Sequence, residues 1–292
     1  MSRTSALNLA GLVAAVVASV LAAGGLGQGP SGAAPSAEVA SIGGADRIAS
    51  ASTVADALLL ELCAPRRVIA VTAQSAAGPD GYRYAGIPTI RSLDDVEAIL
   101  GLRPDVVVAH NVADPSRVAR LRAAGARVVD LGPLEGRASL AEDARTIGAL
   151  CGAPAAGERW ARTFERRMSR VAASVPARDR RRAIYLTVWG DRFMGGTDGT
   201  SYHDVLVAAG LRDVAEARFD GWPTYDVEEL LELDPDLVVT REGMGAAICG
   251  HSTLAALRAC PDAVIELDPT LVDDPGPGML DAAEALHAAA YP

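Results

Sequence analysis

A chain of 292 residues, half of them hydrophobic, is long enough for one large domain or two ordinary ones around a sizeable core. Its net charge of −10 argues against a nucleic-acid binder, which carries a basic footprint. Aromatic residues make up only 4% of the chain, so each tryptophan carries more information than usual.

The chain opens with "MSRTSALNLAGLVAAVVASVLAAGG", in which Arg3 precedes an apolar stretch from Leu9 to Ala23 and then small residues. That is the pattern of a secretory signal peptide. The alternative is an uncleaved membrane anchor, for which the stretch falls short of the ~20 residues a span needs. No Cys follows it directly, which argues against a lipid anchor. The Gly/Pro/Ala/Ser-rich run up to Ala37 reads as flexible, with cleavage near Ala23–Gly25 or near Ala34–Ala37. Residues 1–37 are therefore set aside as signal peptide and linker. The mature protein is expected outside the cytoplasm and free of a lipid anchor.

The elements then follow in order. "RIAS" (47–50) is a short apolar strand, and "STVADALLLEL" a helix capped by Ser52 or Thr53. "RVIAVT" (67–72) is a strand, and "SLDDVEAILGL" a helix opened by Ser92 with acids in its first turn. "DVVVA" is a continuous β-branched run, the mark of a buried strand. "DPSRVARLRAAG", "RVVDL" and "SLAEDARTIGALCG" continue as helix, strand and helix. A long helix without internal proline runs from about Ala155 to Ser174. The alternation resumes with strand "RAIYLTVW", helices "TSYHDVLVAAG" and "YDVEELLEL", strand "DLVVT", helix "STLAALRA", strand "AVIEL" and a closing helix "MLDAAEALHAAAY". Strands alternating with helices predict parallel sheets covered on both faces.

One phrase occurs twice. "VEAILGLRPDVVVA" (96–109) returns as "VEELLELDPDLVVT" (227–240), and "LRAAGARVVDLGP" (121–133) as "LRACPDAVIELDP" (257–269). Two repeats in the same order predict two similar α/β lobes joined by the long helix. The expected limits are 38–154 for the first lobe, 155–178 for the connecting helix and 179–292 for the second lobe.

Four cysteines in an exported chain invite disulfides. Cys249 and Cys260 bracket "GHSTLAALRA", read as a short helix capped by Ser252. Eight helical residues rise ~12 Å, too far to bridge unless the loop folds back. Cys63 and Cys151 each end a helix in the same half and are the candidate pair, the alternative being buried free thiols. No CxxC or His/Cys spacing points to zinc.

The stretches "RIASASTVADALLLEL", "IRSLDDVEAILGLRPDVVVA", "GTSYHDVLVAAGL", "DGWPTYDVEELLELDPDLVVT" and "DPGPGMLDAAEAL", in this order and spacing, resemble the periplasmic binding proteins of ABC importers for iron chelates and cobalamin. The resemblance covers about Arg47 to Tyr291. It implies two Rossmann-like lobes joined by one backbone helix, with a metal chelate captured between them. That chelate would be cobalamin, a ferric siderophore or haem, delivered to a permease with its ATPase. It implies no intrinsic cofactor, and a monomer. It also implies that one acidic residue on each lobe pairs with the permease. Motif by motif, the second-lobe acid falls on Glu228. In the first lobe Pro115 stands where the acid is expected, and Asp114 is the adjacent acid.

Ligands of parallel sheets lie beyond the carboxyl ends of the strands. The loops so placed are 50–53, 72–91 and 110–114 in the first half, and 189–201, 220–225 and 241–251 in the second. Trp222, in the polar loop "DGWPTY", and Trp189, at a strand end, offer faces to a bulky ligand, the alternative being packing against their own loops. Trp160, on the connecting helix, reads as core. His110 directly follows a strand, His203 begins a helix and His251 lies in a loop. Each is a contact candidate. Tyr82, Arg83 and Tyr84 form a candidate lip, and Arg241 a partner for an acidic ligand group.

A bare metal ion needs several converging ligands, and the chain has four His. A chelate is the better match, with haem intermediate because one axial His or Tyr suffices. "GGTDGTS" lacks the GK[ST] ending of a phosphate loop, and there is no GxSxG, so an enzyme is not expected. An enzyme or surface receptor acting on a chelate with the same fold, or a free metal-ion binder, remains the alternative.

Overall fold

In the computed structural model, residues 44–110, 115–132 and 134–292 are described. The expected signal peptide and linker (1–37) and Asp114 lie outside them.

The first lobe is built on five strands, β1 (Ile48–Ser50), β2 (Val68–Thr72), β3 (Thr89–Ile90), β4 (Val106–Ala109) and β5 (Val128–Asp130). They form one parallel sheet in the order β3-β2-β1-β4-β5. Its helices are α1 (Thr53–Leu62), α2 (Ala73–Ala77), α3 (Val96–Gly101), α4 (Pro115–Ala123) and α5 (Arg137–Leu150). Ser52 is the cap of α1, its side chain accepting from the Ala55 N–H. Helix α3 starts at Val96, four residues after Ser92, the expected opening residue. Ser92 instead closes a turn, its Oγ accepting from the Asp94 N–H.

The connecting helix α6 (Pro154–Ala173) opens on a proline at its first position. Its 20 residues span roughly 30 Å. Gly157, Ala161, Phe164 and Met168 recur at helical spacing and are buried, while its arginines face outward. Helices α5 and α6 touch backbone to backbone, since a Cβ on Gly148 would lie 2.7 Å from Gly157 Cα. Arg145 on α5 adds ion pairs to Glu158 and Glu165 on α6. Trp160 is half-buried. It stacks on Phe164 and donates its indole N–H to Glu61.

The second lobe holds β6 (Arg182–Tyr185), β7 (Thr187–Trp189), β8 (Arg192–Met194), β9 (Arg212–Asp213), β10 (Thr224–Tyr225), β11 (Leu237–Arg241) and β12 (Val264–Leu267). Its helices are α7 (Ser201–Ala208), α8 (Val227–Leu233), α9 (Gly245–Cys249), α10 (Pro269–Val272) and α11 (Met279–Ala290). Strands β12-β11-β6-β9 form a parallel sheet, and β10-β8-β7 a small antiparallel one. The run "RAIYLTVW" is therefore two strands in different sheets, broken after Tyr185. Its second half makes a hairpin over Gly190, whose φ of 63° suits glycine.

Two corrections concern the last segment. "STLAALRA" is not a full helix, since only Leu254–Ala256 form a single 3-10 turn. The loop folds back, so Cys249 and Cys260 are bonded, with Cα atoms 5.5 Å apart. Cys63 and Cys151 are also bonded, with Cα atoms 5.2 Å apart.

The main core runs without a break from Ile48, Leu58 and Val106 of the first lobe, through Leu140, Phe164 and Met168, to Leu206, Leu237 and Leu286 of the second. Each such side chain contributes roughly 1.5–3 kcal/mol on burial.

Candidate functional site

In the first sheet the strand order reverses direction between β1 and β4, the position where an α/β sheet opens a crevice. A cavity of about 300 Å³ lies there. Residues at or just past the carboxyl ends of β1, β2, β3 and β4 line it: Ser52, Thr72, Arg91 and His110. Leu134, from the segment after β5, closes one side.

His110 is buried and committed at both ring nitrogens. The Asp143 carboxylate accepts from the His110 Nε2–H at 3.0 Å, which leaves Nδ1 to accept from the Ser52 hydroxyl at 2.6 Å. Ser52 Oγ in turn accepts from the Ala55 N–H at the head of α1. The order Ser–His–Asp is that of a hydrolytic triad, yet here the serine oxygen is held as a helix cap. The chain of bonds ties β1, β4, α1 and α5 together beneath the cavity. Burial raises the Asp143 carboxyl above its usual range, and the bond from His110 opposes this. Asp56, one turn into α1, is buried and raised for the same reason. It accepts from the Thr72 N–H and hydroxyl and so fixes the loop after β2.

The second lobe holds an aromatic wall in which Trp222 is exposed and Tyr185 and Tyr202 are buried behind it. Tyr185, at the end of β6, stacks on Tyr202 of α7 with ring centroids 3.8 Å apart. Tyr202 donates to Asp273 Oδ1 at 2.7 Å. Burial pushes the Tyr185 phenol up to about 12 and raises that of Tyr202 further, so both remain proton donors. Arg241 pairs with Asp273 at 3.2 Å and donates to Thr187 Oγ1 at 3.1 Å. Trp222, 58% exposed, meets Tyr202 edge-on at 5.1 Å.

The cavity and the wall are linked at two points. The Arg137 N–H, beyond Leu134 on the cavity rim, donates to Asp204 on α7 at 2.6 Å. Gly276, three residues past Asp273, runs close to Val54, beside the cavity-lining Thr53, since a Cβ on it would lie 3.3 Å from Val54 Cγ2.

The structure thus brings His110 to the first-lobe cavity, and Trp222 and Arg241 to the second-lobe wall. Other candidates fall elsewhere. Tyr84 is buried in the main core, so the expected lip reduces to the exposed Tyr82 and Arg83. In the 3-10 turn Gly81–Tyr84 successive side chains point about 120° apart, so Tyr84 turns inward while Tyr82 and Arg83 face solvent. His203 is taken up by Asp213 at 3.0 Å. His251 packs edge-on against Phe193 in the second lobe's own core cluster. Trp189, 76% exposed, sits at the hairpin end of β7, two residues past Thr187, the partner of Arg241. Glu228 is exposed in the first turn of α8. Among the described residues no three His, Cys, Asp or Glu gather as a metal site. Tyr185, Tyr202 and Asp273 were not singled out by sequence. The signal available was position, since each lies at or just past the carboxyl end of a second-sheet strand or in the "GTSYHD" helix start.

A model of the periplasmic binding protein family matches residues 48–259, more than half of the chain. The chain belongs to that family. Within it, an uncharacterized ABC transporter substrate-binding lipoprotein of Bacillus subtilis (strain 168), YvrC, is 23% identical over 207 residues. That alignment covers 68% of this chain and 65% of the relative. A cobalamin-binding protein of Halobacterium salinarum is 32% identical over 151 residues, 51% of this chain and 41% of its own length. The chain thus spans less than two thirds of either curated relative. Among solved structures, a periplasmic heme binding protein from Pseudomonas aeruginosa superposes with a TM-score of 0.69 at 25% identity, covering 85% of this chain and 93% of its own.

Proposed function

We propose that this protein is the extracytoplasmic solute-binding component of an ABC importer. It captures a metal chelate between its lobes and hands it to a membrane permease driven by an ATPase. The chelate is cobalamin, a ferric siderophore or haem. The observation that carries the reading is the pairing of a polar cavity at the β1/β4 crevice with the Trp222–Tyr202 wall across two bridging contacts. A flat, metal-bearing ligand needs both surfaces, an apolar face to stack on and convergent polar groups to orient it. The relatives named for cobalamin and heme support the ligand class. Glu228 on the second lobe is the proposed docking acid. On the first lobe Asp114, beside Pro115 at the expected position, is the candidate counterpart. Protein isolated from its native host should carry a visible absorption band of haem, corrinoid or ferric chelate. Uptake of that chelate into vesicles bearing the importer should depend on the protein. Protein that binds no chelate and supports no uptake would falsify the proposal.

A further inference from the structure

We infer that the first-lobe cavity is an anion subsite, and that the ligand presents carboxylate, catecholate or similar anionic oxygens to Arg91. This rests on the chelate-binding reading above and narrows its substrate class.

The chain carries 37 acidic against 27 basic residues, so an average patch of its surface is acidic. The cavity is the reverse. Its lining includes Arg91 and Arg117 and, among the described residues, no acidic side chain. Arg117 is paired with Asp94 at 3.4 Å. Arg91 has no ion pair or hydrogen bond within the described residues. It directly follows the carboxyl end of β3, with its side chain exposed at the opening.

The neighbouring uncommitted groups suit the same partner. Thr53 supplies a hydroxyl and Gln74 an amide, neither bonded to another described residue. Thr53 is also the first residue of a ten-residue helix whose amino end points its dipole's positive pole at the opening. A guanidinium offers five donors and no acceptor, so it meets planar anionic oxygens two at a time. Ile90, Leu93 and Leu134 supply apolar lining, which strengthens any charge pair formed there. About 300 Å³ is at the small end for a ligand pocket, enough for one charged edge of a chelate rather than the whole. The remainder is left to the Trp222 wall.

Calorimetry on the purified protein would use five probes: haemin, ferric citrate, a ferric tris-catecholate, neutral cyanocobalamin and the cationic ferrioxamine B. One of the three anionic probes should bind, with affinity falling at high salt. Arg91→Gln should weaken that probe at least about tenfold and flatten its salt dependence, with thermal midpoint unchanged. Arg91→Lys should recover only part of the loss, since it restores charge without the fork. Tight binding of cyanocobalamin or ferrioxamine B in place of the anions overturns the anion subsite while leaving the chelate-binding reading standing. So does an anion held equally by Arg91→Gln. Failure of all five overturns both.

Discussion

His110 and Arg241 occupy the same place in two copies of one unit. The offset from Val96 to Val227 is the offset from His110 to Arg241, 131 residues. Strand register agrees: Ser50 pairs with Val108, and Tyr185 with Val239. Two residues further on stand Ser52 and Thr187, and each bonds the residue at the repeated position. Each carboxylate partner comes from an element following the lobe's last parallel strand, Asp143 in one and Asp273 in the other.

The two pairs differ in burial, and this fixes how their loss ranks. Ser52→Ala removes a helix cap and strands a buried imidazole nitrogen, costing about 1–3 kcal/mol. Thr187→Val leaves Arg241 about a third in water and still paired with Asp273, costing under about 1 kcal/mol. Urea titrations of the two variants check the order, and the reverse order would show the burial argument to be wrong.

Trp222 rests on Tyr202 by one edge, with most of its surface in solvent. Trp222→Ala should therefore leave folding almost untouched and weaken the cognate chelate by about 1–3 kcal/mol. Calorimetry showing equal affinity would remove Trp222 from the site.

Glu228 is free for an external partner because its neighbour does the local work. Glu229 accepts from the Asp226 N–H and completes the capping box of α8. Glu228→Arg should keep chelate affinity, lose a few tenths of a kcal/mol of helix stability, and cut uptake into importer vesicles. Asp114→Arg should cut uptake if the first lobe docks through that residue. Full uptake with Glu228→Arg contradicts the docking assignment.

One continuous helix joins the lobes, and the Arg137–Asp204 bond clamps them on the ligand side. Small-angle scattering should show almost no compaction when the chelate is added. A large decrease in radius would mean that a hinge operates.

The bond to Asp213 holds the His203 imidazolium above its ordinary value of 6.5, against the opposing effect of burial. A raised folded value stabilises fully below the unfolded one, and the benefit is lost as pH rises through the folded value. Between about pH 6 and 8 the thermal midpoint should fall more steeply in the native protein than in His203→Asn. Parallel profiles would show that the pair carries no such linkage.

The repeats and the β-branched runs made both lobes and the joining helix legible, since buried parallel strands and capped helices leave strong local patterns. Loops at strand ends located His110, Trp222 and Arg241. What stayed hidden depended on chain reversals without a local signature. The loop from Cys249 to Cys260 looked helical because Leu254, Ala255 and Ala256 fit a helix, but the disulfide and a single 3-10 turn bend it back. The break after Tyr185 lies inside an unbroken apolar run, so the antiparallel ribbon it starts could not be read. Tyr84 sits in "YRY", where only the turn geometry decides which ring goes inward. Arg91 closed the candidate loop 72–91 without being singled out, because only β3 shows that it directly follows a strand at the sheet's edge.

The uninterrupted core has a consequence for how the molecule melts. Leu58, Phe164 and Leu206 belong to one apolar body, so separating the lobes exposes surface on both sides of the cut. Neither half encoded alone retains its partner for that surface. The two-lobed outline hides a single cooperative unit, whose heat absorption should appear as one peak rather than two.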